Sequence, residues 1–501
     1  MYCAEADKVK VLCLGNNSTD TDGETSKLAK LNYSINNGLI SSSDTSIQDG
    51  YYHTSVFDLS VGQIKELVTQ FDEVVLLDQP SNTWNHPDAF YLTIKIIDDI
   101  QNLVNVTKLG TSTNIKLFED IVDTNKSFCI FPFIEMLANN GSTTVCCRSS
   151  NPITKINNIT SWQDDPNYVT IRNKMLAGEL VSDHCSVCYN YEARGIKSAR
   201  QQETVEWANR LGLTSIEDLK HITTPVYYEV RPSNVCNLQC RSCGPENSNL
   251  IEKEYIQIGW RDPTATIEYT NFDFVKFDNL KKLYVAGGEP TAMIELYEFM
   301  QKCIDNQNTN FEFLINTNVN KISDRFLSLC SHFSNLQFIV SIDGYQKVND
   351  YVRWLSSWEN TIENTKKLSL NHKVSFNVVV SIYTISQLDQ LLTFIDDNFP
   401  NVLVHCSFAE FENDILNPYI FPDGDLVLNR IRKIKKLNCY KNDKLLQSFI
   451  DGIVCYFETP QSIKLEKLKL FFEFNDRLDE SRNIQLKDYI PELDQFRKLV
   501  L

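Results

Sequence analysis

From Val226 onward the chain alternates short apolar runs with amphipathic stretches, and this period limits the available folds more than any other feature. Runs suited to strands fall at Tyr227–Arg231, Lys282–Ala286, Phe311–Ile315, Leu336–Ile342, Val374–Val380 and Val402–Ser407. Helical patterns at Ala292–Ile304, Asp324–Phe333, Trp358–Leu370 and Gln387–Asn398 separate the later ones. Parallel neighbours need a crossover connection, so the alternation predicts an α/β fold with a parallel, barrel-like sheet of six βα units. In such sheets the chemistry sits at the carboxyl ends of the strands.

The 501 residues allow about three domains at roughly 150 residues each. Residues 1–125 read as a small N-terminal α/β domain, with strands at Lys8–Leu14 and Asp72–Leu77 and helices at Val61–Gln70 and Ala89–Leu103. The polar loop Gly15–Gly23 matches neither the P-loop nor the dinucleotide fingerprint. Residues 126–222 are cysteine-rich. Asn140-Gly141 between two apolar runs predicts a tight hairpin, and a helix is expected from about Asp165 to Ala177, stopped by Gly178. The barrel is expected over 223–415 and a helical extension over 416–501.

Charge narrows the partners. The 65 acidic and 48 basic residues leave a net charge of −17, which repels phosphate backbones and argues against nucleic acid. The basic stretch Arg430–Lys444 reads as a solvated helical face. Residues 1–10 lack the apolar core of a signal peptide, and no apolar run approaches the ~20 residues that span a bilayer. A cytoplasmic protein with no membrane contact is expected. A reducing compartment disfavours structural disulfides, so the clustered members of its 15 cysteines point to metal ligation.

The tightest cluster is Cys236-x3-Cys240-x2-Cys243, directly after the first barrel strand. Three thiolates can hold three irons of a 4Fe-4S cluster and leave the fourth open, whereas structural zinc prefers four ligands in paired Cys-x2-Cys units. Here the chain resembles the radical S-adenosylmethionine (SAM) superfamily. The resemblance implies a partial (β/α)6 barrel in which the cluster's open iron chelates the amino and carboxylate groups of SAM. It also implies reductive cleavage of SAM to a 5′-deoxyadenosyl radical that abstracts a substrate hydrogen.

Other residues fall where that superfamily needs them. Gly287-Gly288-Glu289-Pro290 ends the second strand, and the resemblance implies that it holds the SAM amino group, the glycines permitting close backbone approach to a ligand. Ser341 and Asp343, ending the fourth strand, would serve the SAM ribose, and Arg353 the SAM carboxylate. Asn316 and Asn318, ending the third, are further cofactor-binding candidates. Ser242 departs from the bulky or aromatic residue that the superfamily commonly sets before its last cysteine.

Upstream, Cys129, Cys146, Cys185 and Cys188 resemble the ligands of an auxiliary 4Fe-4S cluster in a twitch domain, a half-size relative of the SPASM domain. That domain usually follows the barrel; here it precedes it. Cys147 is an alternative to Cys146, and His184 to Cys185, and four such thiolates also suit zinc. The other cysteines and the seven histidines show no ligand spacing, and no catalytic base can be named. The expected function is a radical SAM enzyme with an auxiliary cluster, oxidising or modifying a peptide, a protein or a small molecule. A low-potential donor such as flavodoxin or ferredoxin would supply its electron. The alternative is a non-catalytic iron–sulfur or zinc protein acting as redox sensor or scaffold.

Overall fold

The structure, a computed structural model, describes residues 11–15, 46–48, 51–55, 73–77, 105–109 and 112–500 apart from 150, 194–196, 410–411 and 460–461. The chain divides into two compact units: residues 1–130 with 173–221, and 131–172 with 222–501. The cysteine-rich segment 126–222 is therefore shared between them.

The first unit holds a sheet of β1 (Val11–Gly15), β2 (Ser46–Gln48), β3 (Tyr51–Ser55), β4 (Glu73–Leu77) and β5 (Asn105–Leu109), in the order β2-β3-β1-β4-β5. β1, β3, β4 and β5 run parallel, and β2 pairs antiparallel with β3. The strands expected at 8–14 and 72–77 are β1 and β4. The helices expected at 61–70 and 89–103 lie outside the described residues. Helix Ala199–Arg210 opens with a reciprocal Ser198–Gln201 capping box. Its buried Arg200 forks onto Glu192 at 2.7 and 2.8 Å and donates to the Phe128 carbonyl at 2.7 Å.

The second unit is built on one sheet. Its strands are β6 (Glu135–Asn139), β7 (Ser142–Thr144), β8 (Thr154–Lys155), β9 (Tyr227–Arg231), β11 (Lys282–Val285), β12 (Glu312–Thr317), β13 (Leu336–Ser341), β15 (Lys373–Val380) and β16 (Val404–Phe408). A separate two-stranded ribbon joins β10 (Gln239–Cys240) to β14 (Arg353–Trp354). The order is β16-β15-β13-β12-β11-β9-β6-β7-β8. From β9 to β16 each strand lies parallel to the one before it, so the six expected βα strands all form. The hairpin at Asn140-Gly141 also forms, with φ of +49° and +67°, the signs a type I′ turn needs. It extends the parallel sheet, because β6 pairs parallel with β9.

The strands alternate rather than reading as continuous apolar runs. Val230, Leu283, Val285, Phe313, Ile315, Phe338, Val340, Phe376 and Val378 are buried in the core. Each such side chain contributes about 1.5–3 kcal/mol by leaving water. On the opposite face the register sets Glu229 beside Tyr284, Gln337 beside Leu314, Asn316 beside Ile339 and Ser341 beside Asn377.

Beyond β16 the chain forms helices Gly424–Ile434, Asn438–Asn442, Lys444–Glu458 and Leu465–Arg482. In the basic stretch, Arg430 and Lys433 pair with Asp389, Arg432 with Glu458 and Lys435 with Asp451, as a solvated face would. Among the described residues no helix is long and apolar enough to cross a membrane.

Candidate metal centre

The loop after β9 brings the three cysteines together, and short-range bonds fix it. The Asn234 side-chain amide donates to the Pro245 carbonyl and to Glu252, and its oxygen accepts from the Tyr269 hydroxyl. The Cys236 N–H donates to Asn249 Oδ1 at 3.0 Å. Ser248 caps helix Asn249–Gln257, and its hydroxyl also donates to the Leu238 carbonyl at 2.8 Å. Cys240 lies on the short ribbon opposite Arg353, and the Cys243 N–H closes a turn onto the Cys240 carbonyl at 3.1 Å.

The thiols act on one another. A hydrogen bond from Cys243 holds the Cys240 thiol down to about 7 against the opposing effect of burial, and the positive charge of Arg353 helps. The same bond, followed by burial and the charge of Cys240, pushes Cys243 well above the ordinary thiol value. Burial, then the charges of Cys240 and Glu289, pushes Cys236 up to about 12. Burial opposes the charge of Arg353, but Cys240 and Asp343 more than offset it and raise its pKa.

The loop after β11 packs against this one. Gly287 has φ +75° and Gly288 φ +42°; a Cβ on Gly287 would lie 2.8 Å from Arg231 Cβ, and one on Gly288 2.3 Å from the Val235 carbonyl oxygen. Gly287 thus packs closely on the end of β9 and Gly288 on the cysteine loop, which the Glu289 N–H also joins by donating to the Val235 carbonyl at 2.7 Å. Glu289 is 1% exposed. Its carboxylate accepts from the Thr291 N–H and hydroxyl, the Thr317 hydroxyl and the Asn318 N–H, at 2.5–3.0 Å. It thereby ties the end of β11 to the end of β12. Pro290 starts the short turn Pro290–Ala292 that follows.

The remaining candidates join the same end of the sheet. The Asn318 side chain donates to Asn237 Oδ1 at 2.8 Å, within the cysteine motif itself. Ser341 donates to Asn316 Oδ1 at 3.1 Å. Asp343, buried, accepts from the Val379 N–H at 3.0 Å and from Arg353 Nη1 at 2.8 Å, so each of its oxygens is engaged by the chain. Arg353 uses a single Nη on Asp343, and its Nε and Nη2 make no bond among the described residues.

Three free thiols, a facing arginine and no fourth protein thiol in the motif suit iron bound by three soft ligands with one position left open. Among the described residues no three His, Cys, Asp or Glu side chains converge on a single metal ion. A cluster does not require that, since each thiolate binds a separate iron.

Sequence reasoning missed several residues that hold the motif: Asn234, Asn237, Asn249, Arg241, Glu254, Asn475 and Asp479. Only Arg241 carried a signal, a cation inside a cysteine motif. The others lie beyond it or are ordinary polar residues.

Upstream, Cys129, Cys185 and Cys188 belong to the first unit and are buried. Cys185 and Cys188 share helix Ser182–Ala193 one turn apart, and burial pushes Cys185 up to about 11. In the second unit Cys146 is buried, and its neighbour Cys147 is exposed. Cys303 and Cys330 are fully buried apolar-like residues, as expected for cysteines without ligand spacing.

No protein-family model matches the sequence, and no curated protein matches it. Among solved structures, the chain is similar to SuiB of Streptococcus suis bound to S-adenosylmethionine, with a TM-score of 0.30 and 15% identity over 53% of this chain. The chain spans 58% of the length of that SuiB structure. It is also similar to TsrM of Kitasatospora setae, a radical S-adenosylmethionine methyltransferase with cobalamin and a [4Fe-4S] cluster bound. There the TM-score is 0.27 and the identity 10%, over 80% of this chain and 72% of that one.

Proposed function

We propose that this chain is a radical SAM enzyme, a reading carried by Cys236, Cys240 and Cys243 on one loop, with Cys240 opposite Arg353 and the Gly287–Pro290 loop packed against it. When bound there, a 4Fe-4S cluster supplies the electron that cleaves SAM to methionine and a 5′-deoxyadenosyl radical, which takes a hydrogen atom from the substrate. The chain's own residues bind and orient. The free Nε and Nη2 of Arg353 suit a carboxylate of SAM, and Asp343 fixes the guanidinium for that task. The carbonyls of the Gly287–Glu289 turn suit its amino group, and Ser341 and Asn316 its ribose. Asn318 braces the cysteine motif from the third strand.

Cys129, Cys146, Cys185 and Cys188 would hold a second 4Fe-4S cluster, which could supply an electron acceptor and so make the net reaction an oxidation. A peptide, protein or small molecule is the substrate, a flavodoxin or ferredoxin the electron donor, and the cytoplasm the compartment. One observation favours a second reading, a non-catalytic iron–sulfur or zinc protein: Glu289 and Asp343 are fully engaged by the chain. Anaerobic reconstitution followed by assay for 5′-deoxyadenosine separates the two. Wild-type protein should release it, and protein with Cys236, Cys240 and Cys243 changed to Ala should not. Iron-loaded wild type that cleaves no SAM would favour the second reading.

A further inference from the structure

The C-terminal helix Leu465–Arg482 lies more than two hundred residues beyond the cysteine motif, yet it grips that motif at its centre. Arg241, the residue between Cys240 and Ser242, has a fully buried side chain. Its Nε donates to the Tyr351 carbonyl at 3.1 Å, Nη1 to Asn475 Oδ1 at 3.0 Å and Nη2 to Asp479 Oδ1 at 2.5 Å. The guanidinium also lies over the Tyr351 ring, 3.7 Å from its centroid. The Tyr351 hydroxyl donates towards Asn475 and Asp479, both at 2.9 Å, and the Tyr383 hydroxyl reaches Asn475 at 3.0 Å. Tyr351 stands two residues before Arg353, so one buried network holds both strands of the ribbon that sets Cys240 opposite Arg353. A second grip follows on helix Asn249–Gln257, where buried Glu254 takes a two-point bond from Arg482 at 2.7 and 2.9 Å.

We infer that Arg241, Asn475 and Asp479 are positioning residues for the metal centre: the helical extension fixes the orientation of the Cys240–Arg353 ribbon. This rests on reading Cys240 as a cluster ligand, but the geometry itself exists without metal. A fork of three donors in one plane is what distinguishes Arg241 from a lysine here, because an ammonium cannot satisfy the Tyr351 carbonyl, Asn475 and Asp479 together.

The experiment uses the full-length, metal-free, reduced protein, so it does not depend on SAM chemistry. Alkylation by iodoacetamide is followed at each cysteine by mass spectrometry, with Cys303 and Cys330, fully buried in the core, reporting global opening. In Asp479→Asn, Cys240 should react roughly tenfold faster or more while Cys303 and Cys330 keep wild-type rates, as local opening without unfolding requires. Arg241→Lys, which keeps the charge but not the fork, should give a smaller rise at Cys240 alone. After reconstitution, the electron paramagnetic resonance signal of the reduced cluster should differ from wild type in both variants. An unchanged Cys240 rate in Asp479→Asn overturns the inference. So does a rise shared by all three cysteines that persists in Arg241→Lys, which would make the network a general staple of the core.

Discussion

Glu289 carries four hydrogen bonds inside the protein, and its replacement separates a positioning role from a ligand-binding one. Glu289→Ala leaves buried donors on Thr291, Thr317 and Asn318 without a partner, so it should destabilise the fold by about 3 kcal/mol. Glu289→Gln can keep the three bonds to Oε1 and sets its NH2 only against the Asn318 N–H, so it should cost less, about 1 kcal/mol. Urea denaturation of the metal-free variants measures both; an Ala variant as stable as wild type would mean that the bonds are dispensable. The motif was legible in the sequence, but this use of it was not. Thr317 and Asn318 lie 28 and 29 residues away, and nothing in their spacing announces a shared carboxylate. A second test at this scale concerns His372, whose ring packs edge-on against Phe338 at 5.5 Å. Burial holds its pKa below the ordinary value, and a bond to the Leu336 backbone only partly offsets this. The unfolded chain therefore binds the extra proton first. Stability is intact above the unfolded value of about 6.5 and falls as the pH drops below it towards the folded value. Thermal midpoints taken from pH 7.5 to 5.5 should fall less steeply in His372→Gln; parallel curves would refute the assignment.

At the scale of elements, the sequence was most informative where the period was strongest. All six expected βα strands formed within a few residues of their expected bounds, because each pairs a buried apolar face with a short run of fixed length. The hairpin at Asn140-Gly141 was equally legible, since its backbone demands φ above zero at both positions. What could not be read was where the hairpin goes: β6 docks beside β9 through a parallel pairing with a strand some ninety residues later, and register of that kind leaves no local mark. The short strands β2, β3 and β5 were missed, having few apolar residues to signal them. Gly141 gives the test. A Cβ there would stand 2.6 Å from Glu268 Oε2 with φ already at +67°, so Gly141→Val should lower stability by about 1–3 kcal/mol. Gly212, with φ +62° but open space around it, should tolerate Ala at about 1 kcal/mol. A Gly141→Val variant no less stable than the Gly212→Ala control would show that the turn relaxes freely.

For the whole molecule, the decisive quantity is how much iron the chain holds and which cysteines account for it. Two 4Fe-4S clusters predict about eight irons per chain after anaerobic reconstitution. Stoichiometric zinc with little iron, in protein isolated without air, would reject that. Changing Cys129, Cys146, Cys185 and Cys188 to Ala tests the division of labour. If the upstream site acts after SAM cleavage, the variant should keep about four irons and still release some 5′-deoxyadenosine. If it is mainly a fold staple, its metal contributes folding energy directly, and the variant should lose solubility and both clusters together. The buried Arg200–Glu192 pair argues for the first outcome. Arg200 joins the helix that carries Cys185 and Cys188 to the Phe128 carbonyl beside Cys129 through protein bonds alone, so this part of the first unit has an anchor that needs no metal. Thermal melts of the metal-free wild type and the four-cysteine variant should therefore coincide within a few degrees, a shift of under about 1 kcal/mol. A large drop in the variant, matched by a large rise when the wild type is loaded with iron, would assign these cysteines to folding rather than to the reaction.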